Sequence, residues 1–503
     1  MYWGLMDAGL YTDLNSDIAF GTGADEVSDG SYLAPTTSTD WSTPWTYIQS
    51  CNYILSKAED SGLDDSEIGR WKGEALFFRA YNYWKLMKEY GGVPKILTVL
   101  STDSEELYSE RVSQQEIAEQ IIADLESAEP YLPSQKDMPF SDMGRVTKGA
   151  ANALLARVAL YEGTWEKYHG GDKSSAFLDK AISAASSVVD SKDYSVFTDM
   201  GTESYKHLFI LGGDDCSEVI LAKRYYKERL THNWTRELWF NPMVPTKNIA
   251  DMYLLTNGLP IDKDKSGLFK GYSTMTSEFD NRDPRMAMTF LVPGTLYFGE
   301  GSEWVVASAG FTGSTSTHTG YMLRKFRDET SDAAQFRCEY DFKEFRYGEV
   351  LLILAEALYE KNGSITDDEL DKTINLLRAR VSMPSLTNAF VNSNGLNMQE
   401  EIRRERTIEL AFEGYRRDDL RRWGTADEEL VNALRGVKFK DTEYQSTYPE
   451  LKIGTDIIVD SEGFIVAEAA SDRHFETPKH WYTPIPLKEV QLSKGTLKQN
   501  PGW

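Results

Sequence analysis

The chain has 503 residues, 41% hydrophobic and 26% charged, which is the balance of an ordinary globular protein. Its 54 Lys and Arg face 79 Asp and Glu, a net charge of −25; so acidic a surface argues against nucleic-acid binding and polybasic membrane docking. No apolar run approaches the roughly 18 residues of a spanning helix, and Cys51, Cys216 and Cys338 form no CxxC, which allows one bridge at most and argues against a thiolate zinc site.

Residues 21–43 are polar, with Tyr32 and Trp41 embedded in them. Helical periodicity then begins. Residues 45–58 place Tyr47, Ile48, Cys51, Ile54 and Leu55 on one face, and 71–90 follow, stopped by Gly91-Gly92-Val93-Pro94. Residues 114–128 are amphipathic through Ile117, Ile121, Ile122 and Leu125. Residues 147–161 are rich in Ala and Leu, as closely packed helices are. The spans 174–189, 346–360, 367–381 and 398–413 complete the predicted helices. Between them, about 231–335 has weak helical periodicity, Gly-rich turns, Ser/Thr clusters and Trp234, Trp239 and Trp304; it reads as a loop-rich insertion with short strands. A second irregular stretch starts at about 436.

Part of the helical pattern repeats. Ala159-Leu160-Tyr161-Glu162 is followed by Leu178-Asp179-Lys180-Ala181-Ile182, and Ala357-Leu358-Tyr359-Glu360 by Leu370-Asp371-Lys372-Thr373-Ile374. Each copy is a helix, a Gly-containing turn and a second helix, the anatomy of a tetratricopeptide-type hairpin. The expected fold is therefore mainly α: a tetratricopeptide-like helical hairpin scaffold carrying a loop-rich, irregular half.

Catalytic signatures are missing. There is no GxSxG, HExxH, P-loop or GxGxxG, and the six His lie in no metal-ligand spacing. Asp262-Lys-Asp264 opens like a calcium loop, but Ser273 stands where the bidentate acid belongs, so a polar turn is expected. The Arg- and Glu-rich segment 400–423 reads as an amphipathic helix with Ile402, Ile408, Leu410 and Phe412 in the core and its arginines matched by nearby acids. No catalytic residue, cofactor or metal is expected.

Several blocks, taken in order, resemble the SusD/RagB family of outer-membrane nutrient-binding lipoproteins. They include Gly73-Glu74-Ala75…Arg79-Ala80, Tyr90-Gly91-Gly92-Val93-Pro94, Gly144-Arg145-Val146-Thr147-Lys148-Gly149-Ala150 and Asn257-Gly258-Leu259-Pro260-Ile261. Arg282-Asp283-Pro284-Arg285 and Arg346-Tyr347…Glu349 follow. The most specific block is Glu405-Arg406…Glu409-Leu410-Ala411-Phe412-Glu413-Gly414…Arg416…Asp419-Leu420…Arg422-Trp423, and Gln499-Asn500-Pro501-Gly502-Trp503 is similar to the family's end. The resemblance implies one unit over 1–503, with scaffold at 45–190 and 346–423, an irregular insertion at about 231–335 and an irregular part at about 436–503. It also implies that a secretion signal, a lipidated cysteine and an arm precede Met1.

On that resemblance the chain is expected to be a non-catalytic binder of oligosaccharide or polysaccharide. It would serve a SusC-like TonB-dependent transporter on the extracellular face of the outer membrane, held there by a lipid anchor this sequence does not contain. Three other readings remain: a peptide-binding member of the family, a helical-repeat interaction scaffold with no sugar site, and a glycosidase. Aromatic residues form 12% of the chain, and flat rings cover the apolar faces of sugars. Rings on helix faces, such as Trp45, Trp71, Trp84 and Tyr359, are expected in the core. The expected ligand contacts are the rings read as loop-borne, Tyr32, Trp41, Tyr297, Trp304 and Tyr321, with Trp41 and Trp304 stacking on sugar and Asp29 accepting from a hydroxyl.

Overall fold

The helical part of the molecule follows from its capping residues. A computed structural model describes residues 9–23, 25–240, 242–298, 304–307, 311, 317–330 and 337–503. Helix α1 (Thr39–Asp60) starts where Ser38 accepts the Asp40 amide, and α2 (Asp65–Tyr90) starts with a capping box between Asp64 and Glu67. In α3 (Gln114–Ala128) Ser113 and Glu116 cap each other reciprocally. Thr147 accepts the Ala150 amide to open α4 (Lys148–His169), and α5 (Ser174–Ser191) follows. Gly91 ends α2 at φ +70° with its N–H on the Met87 carbonyl. A Cβ there would meet the Tyr482 ring at 2.7 Å, so a bare backbone is needed for close approach as well.

Each helix packs on the next, and α5 packs on the later helix Tyr347–Asn362. The two repeat copies occupy corresponding places. The first ends α4 and is followed by α5. The second ends Tyr347–Asn362, stops at Gly363 and is followed by the helix Asp367–Asp371. Small residues bring the pair together: a Cβ on Gly163 would lie 3.0–3.1 Å from Leu178 atoms, including its backbone nitrogen.

Four predicted helical spans are corrected. Helices α1 and α2 begin six residues earlier than expected, which places Trp41 inside α1. The span 367–381 splits into Asp367–Asp371 and Ile374–Arg380. There the Thr373 hydroxyl donates to the Glu369 carbonyl at 2.6 Å, a local bond that competes with the helical ladder. The span 398–413 ends as a helix at Glu409. Phe412 turns to φ +63° to bury its ring, Gly414 follows at φ +85°, and a separate helix runs Arg416–Arg422. One core assignment also fails. Trp71 is 55% exposed, lying under the Arg145 guanidinium at 4.6 Å, while Trp84 is buried and Trp45 and Tyr359 are half-buried.

Strands are short and paired in twos among the described residues. β1 (Ala19–Phe20) pairs with β3 (Val244–Pro245), and β2 (Val219–Lys223) pairs with β6 (Phe342–Arg346). The chain thus leaves the helices at β2 and re-enters them at β6. Between lie the short helices Trp234–Leu238, Lys247–Met252 and Pro284–Thr289 and the pair β4 (Leu296–Phe298) with β5 (Trp304–Val306). β7 (Leu434–Lys438) pairs with β8 (Phe464–Glu468) in the last part.

Two large apolar cores result. One is helical, built on residues such as Phe77, Ile121, Leu154, Val158 and Leu351. The other fills the loop-rich half around Leu238, Tyr253, Phe290, Phe412 and Phe439. The helix Met398–Glu409 contributes to both, with Ile402 in the first and Ile408 in the second.

Its polar face meets a buried lattice of ion pairs. Glu409 accepts from Arg346 at 2.8 Å, Arg380 at 2.7 Å and Arg285 at 3.0 Å. Glu405 takes Arg285 at 2.6 Å and Arg378 at 2.8 Å, and Glu413 takes Arg346 and Lys325, each at 2.8 Å. Arg422 bridges Glu356 and Asp419. The signature residues Arg285, Arg346, Glu405, Glu409 and Glu413 therefore act on one another in the interior, where an unpaired charge would be costly.

Candidate functional site

A cleft of about 380 Å³ opens where the N-terminal stretch, α2, the segment 413–422 and the last part of the chain converge. Helix α2 presents one stripe to it: Tyr81, Trp84, Lys85, Lys88 and Glu89, positions three or four apart that share a face. The N-terminal stretch adds Thr12, Asn15, Ser28 and Tyr32, and the first turn of α1 adds Asp40. His474, Phe475, His480, Tyr482 and Trp503 form the other side.

These walls are fixed by named bonds. Gly414 and Arg416 donate their amides to Asp13 at 3.0 and 3.2 Å, and the Arg416 guanidinium grips Asp17 with bonds of 2.7 and 2.8 Å. Burial outweighs the two amides and raises Asp13 to about 7. The His474 amide donates to the Ser28 carbonyl at 2.8 Å, joining the two sides. Asn500 accepts from Arg111 at 2.6 Å and donates to the carbonyls of Tyr90 and Thr483. The Trp503 amide then folds back onto the Asn500 carbonyl at 3.2 Å. The indole N–H donates to the Lys479 and Tyr482 carbonyls at 2.9 and 3.1 Å, and the ring lies edge-on to Tyr32 at 6.1 Å and near His480 at 5.6 Å.

Deeper in, charge is mostly neutralised. Arg157 donates to Glu349 at 2.7 Å, to Glu344 at 3.0 Å and to the Tyr415 hydroxyl at 2.8 Å. The Tyr81 hydroxyl takes the other Glu344 oxygen at 2.9 Å. Lys88 pairs with Asp418 at 3.1 Å, while Glu89 takes Arg417 at 3.4 Å and the Thr483 hydroxyl at 2.9 Å. Burial alone would raise the Glu89 carboxyl, but Arg417, Lys88 and Arg421 hold it down at about 2. It is therefore an acceptor and a poor proton donor at any working pH. The cleft offers half-buried rings beside hydrogen-bond donors and acceptors, which suits a polar ligand with apolar faces, as a sugar has.

Of the sequence-predicted contacts whose side chains are described, Tyr32 alone lines this cleft, half-buried. Asp29 is exposed and does not line it; its carboxylate accepts the Ser31 amide at 2.8 Å, and Ser31 holds its pKa below the usual value. Trp41 is corrected from a loop ring to a buried ring of α1, 5% exposed and edge-on to Tyr90 at 5.0 Å. The expectation of exposed rings is likewise corrected for two others. Tyr297 is 9% exposed against Trp239, and Tyr321 is 2% exposed with its hydroxyl on Glu278 at 2.8 Å. Trp304 opens β5, and its side chain lies outside the described residues.

What sequence reading missed is the α2 stripe, the two histidines and Trp503. The available signal for Trp503 was Asn500-Pro501-Gly502 ahead of it, a turn that folds the ring back. The loop at 262–267 is the expected polar turn: Asp264 spends its carboxylate on Ser266 and the Phe269 amide, which hold it at about 2. No group of three or more His, Cys, Asp or Glu suited to a metal occurs among the described residues, and no helix there is long and apolar enough to cross a membrane.

Comparison with known proteins covers nearly the whole chain. The family model "SusD family" matches residues 218–503, and the model "Starch-binding associating with outer membrane" matches 11–160. A SusD-like protein of Formosa agariphila is 26% identical over 92% of this chain and 80% of its own length. The starch-binding protein SusD of Bacteroides thetaiotaomicron is 25% identical over 77% of this chain and 72% of its own. In the solved structures, a SusD-like carbohydrate-binding protein of Bacteroides fragilis aligns with a TM-score of 0.76, 24% identity, and coverage of 99% and 92%.

Proposed function

The chain belongs to the SusD family, and from that premise we propose that it is a non-catalytic, outer-membrane-associated binder. It captures oligosaccharide or polysaccharide in the cleft above and delivers it to a TonB-dependent transporter. The observation that carries this reading is the pairing of Tyr32 and Trp503 beside the polar stripe of α2. A ring whose edge is anchored by two carbonyls is preorganised, so little entropy is lost when a pyranose covers it. The same cleft speaks against the glycosidase reading. Its Glu89 and Asp418 are engaged by cations, and a glycosidase needs one carboxyl poised to give up a proton.

The test is affinity electrophoresis of the purified protein against a panel of polysaccharides, followed by calorimetry on the ligand found. Tyr32→Ala and Trp503→Ala should each weaken binding by about tenfold, since a stacked ring contributes on the order of 1–3 kcal/mol. Trp304→Ala, measured beside them, reports whether the sequence-predicted ring joins the site. Trp41→Ala should lose stability and leave affinity unchanged. Normal binding in both the Tyr32 and Trp503 variants would put the ligand elsewhere. Release of reducing ends from the polymer would establish the enzyme reading, and retention of peptides alone would establish the peptide reading.

A further inference from the structure

Lys85 stands in the middle of the α2 stripe, half-buried in the cleft wall. Among the described residues no carboxylate lies within ion-pairing distance of its ammonium and no group accepts a hydrogen bond from it. Burial presses its pKa down; Glu344 and, more weakly, Asp40 act against that, and the neighbouring Lys88 adds to it. Glu344 is already engaged, one oxygen by Arg157 and the other by Tyr81. Asp40 sits on the exposed rim. A second cation in the cleft is underused. Among the described residues Arg417 makes one side-chain hydrogen bond, to Glu89 at 3.4 Å, and a guanidinium carries five donors. A molecule with a net charge of −25 thus keeps unspent positive donors in this cleft.

We propose, building on the glycan-binding reading, that the ligand is an acidic glycan whose anionic group is held by Lys85 and Arg417 while Tyr32 and Trp503 cover its sugar faces. The anionic group is a uronate carboxylate or a sulfate ester. Both accept the charge-assisted bonds that an ammonium and a guanidinium fork supply. The acidic exterior is no obstacle near physiological salt. There the Debye length is about 8 Å, so the acidic surface beyond the cleft is largely screened from a ligand inside it.

The test measures binding in 0.15 M NaCl to polygalacturonate, to its carboxyl-reduced neutral form, to dextran sulfate and to unmodified dextran, with starch and laminarin as further neutral polymers. The expected result is retention by polygalacturonate or by dextran sulfate, which identifies the anionic source, and at least tenfold weaker binding to the neutral counterpart. Lys85→Gln should lose about tenfold on the acidic polymer with an unchanged melting temperature, and Lys85→Arg should keep most of the affinity. Equal binding to an acidic polymer and its neutral form overturns the proposal. So does retention of neutral polymers alone, or a Lys85→Gln protein that binds the acidic polymer like wild type. In each of those cases glycan binding itself stands. If no polymer of either kind is retained, the glycan-binding reading falls and this proposal falls with it.

Discussion

Phe412 occupies the left-handed region at φ +63° with its ring fully buried in the loop-rich core. The backbone accepts that cost because the ring repays it in contacts. Phe412→Ala keeps the strained backbone and deletes the contacts. It should cost about 3–5 kcal/mol in urea unfolding, with ligand affinity unchanged in the folded fraction; loss of binding at unchanged stability would assign this turn to the site. A second residue sets a pH response. Glu162 is buried, and burial raises its carboxyl to about 8 despite the bond Gln114 donates at 2.7 Å. The folded state keeps a proton there that the unfolded state releases above the ordinary value of about 4.3. Its contribution therefore falls as pH rises from about 4.5 to 8. Glu162→Gln should flatten the decline in melting temperature between pH 5 and pH 8 relative to wild type; an identical slope in both proteins would mean that Glu162 ionises normally.

Element boundaries were legible where a cap and a breaker stood in the sequence, as at Ser113 with Glu116 and at Gly91. They were hidden where tertiary contacts decide. Pro44 interrupts the early part of α1 and masks the cap at Ser38, so Trp41 read as a loop ring. The apolar pattern of 398–413 runs straight through the point where Phe412 turns away, because periodicity cannot say which of two cores a ring will enter. The same limit scattered the predicted contacts: a Trp or Tyr in an irregular segment looks alike whether it is buried or facing a ligand. The hairpin of α4 and α5 was readable through its small residues, and it gives a test at this scale. Gly163→Val should push Leu178 and the α5 backbone away and cost about 1–3 kcal/mol as overpacking. A thermal scan showing no loss would mean that the two helices separate freely.

Across the whole molecule, the two apolar cores are joined through the ion-pair lattice on Met398–Glu409. Breaking a buried pair leaves its partners uncompensated, which typically costs about 3–5 kcal/mol. Glu409 serves three arginines, so Glu409→Gln should cost at least that much. Hydrogen exchange should show protection falling together in α4 and in Lys247–Met252, with one unfolding transition retained. Loosening confined to the loop-rich half would mean that the lattice does not couple the cores. The family signature was readable in the sequence, but its physical content was not. The arginines and glutamates of 400–423 looked like a solvated helical face with local partners. Local pairs such as Arg422 with Asp419 and Arg404 with Glu401 do form, but Glu405, Glu409 and Arg422 also take Arg285, Arg346, Arg378 and Glu356, all more than twenty residues away.

The anchoring of Trp503 has an optical consequence. Its indole N–H is held by two backbone carbonyls while the ring lines the cleft, half-buried beside Tyr32 and His480. Trp41, Trp165, Trp234 and Trp423 are buried away from the cleft and give emission that is largely indifferent to what enters it. A ligand lying over Trp503 strips water from a ring that cannot rotate away, so its emission should move to shorter wavelength as the cleft fills. The molecule thereby carries its own fluorescent gauge of occupancy, and Trp503→Phe is the blank against which that gauge is read.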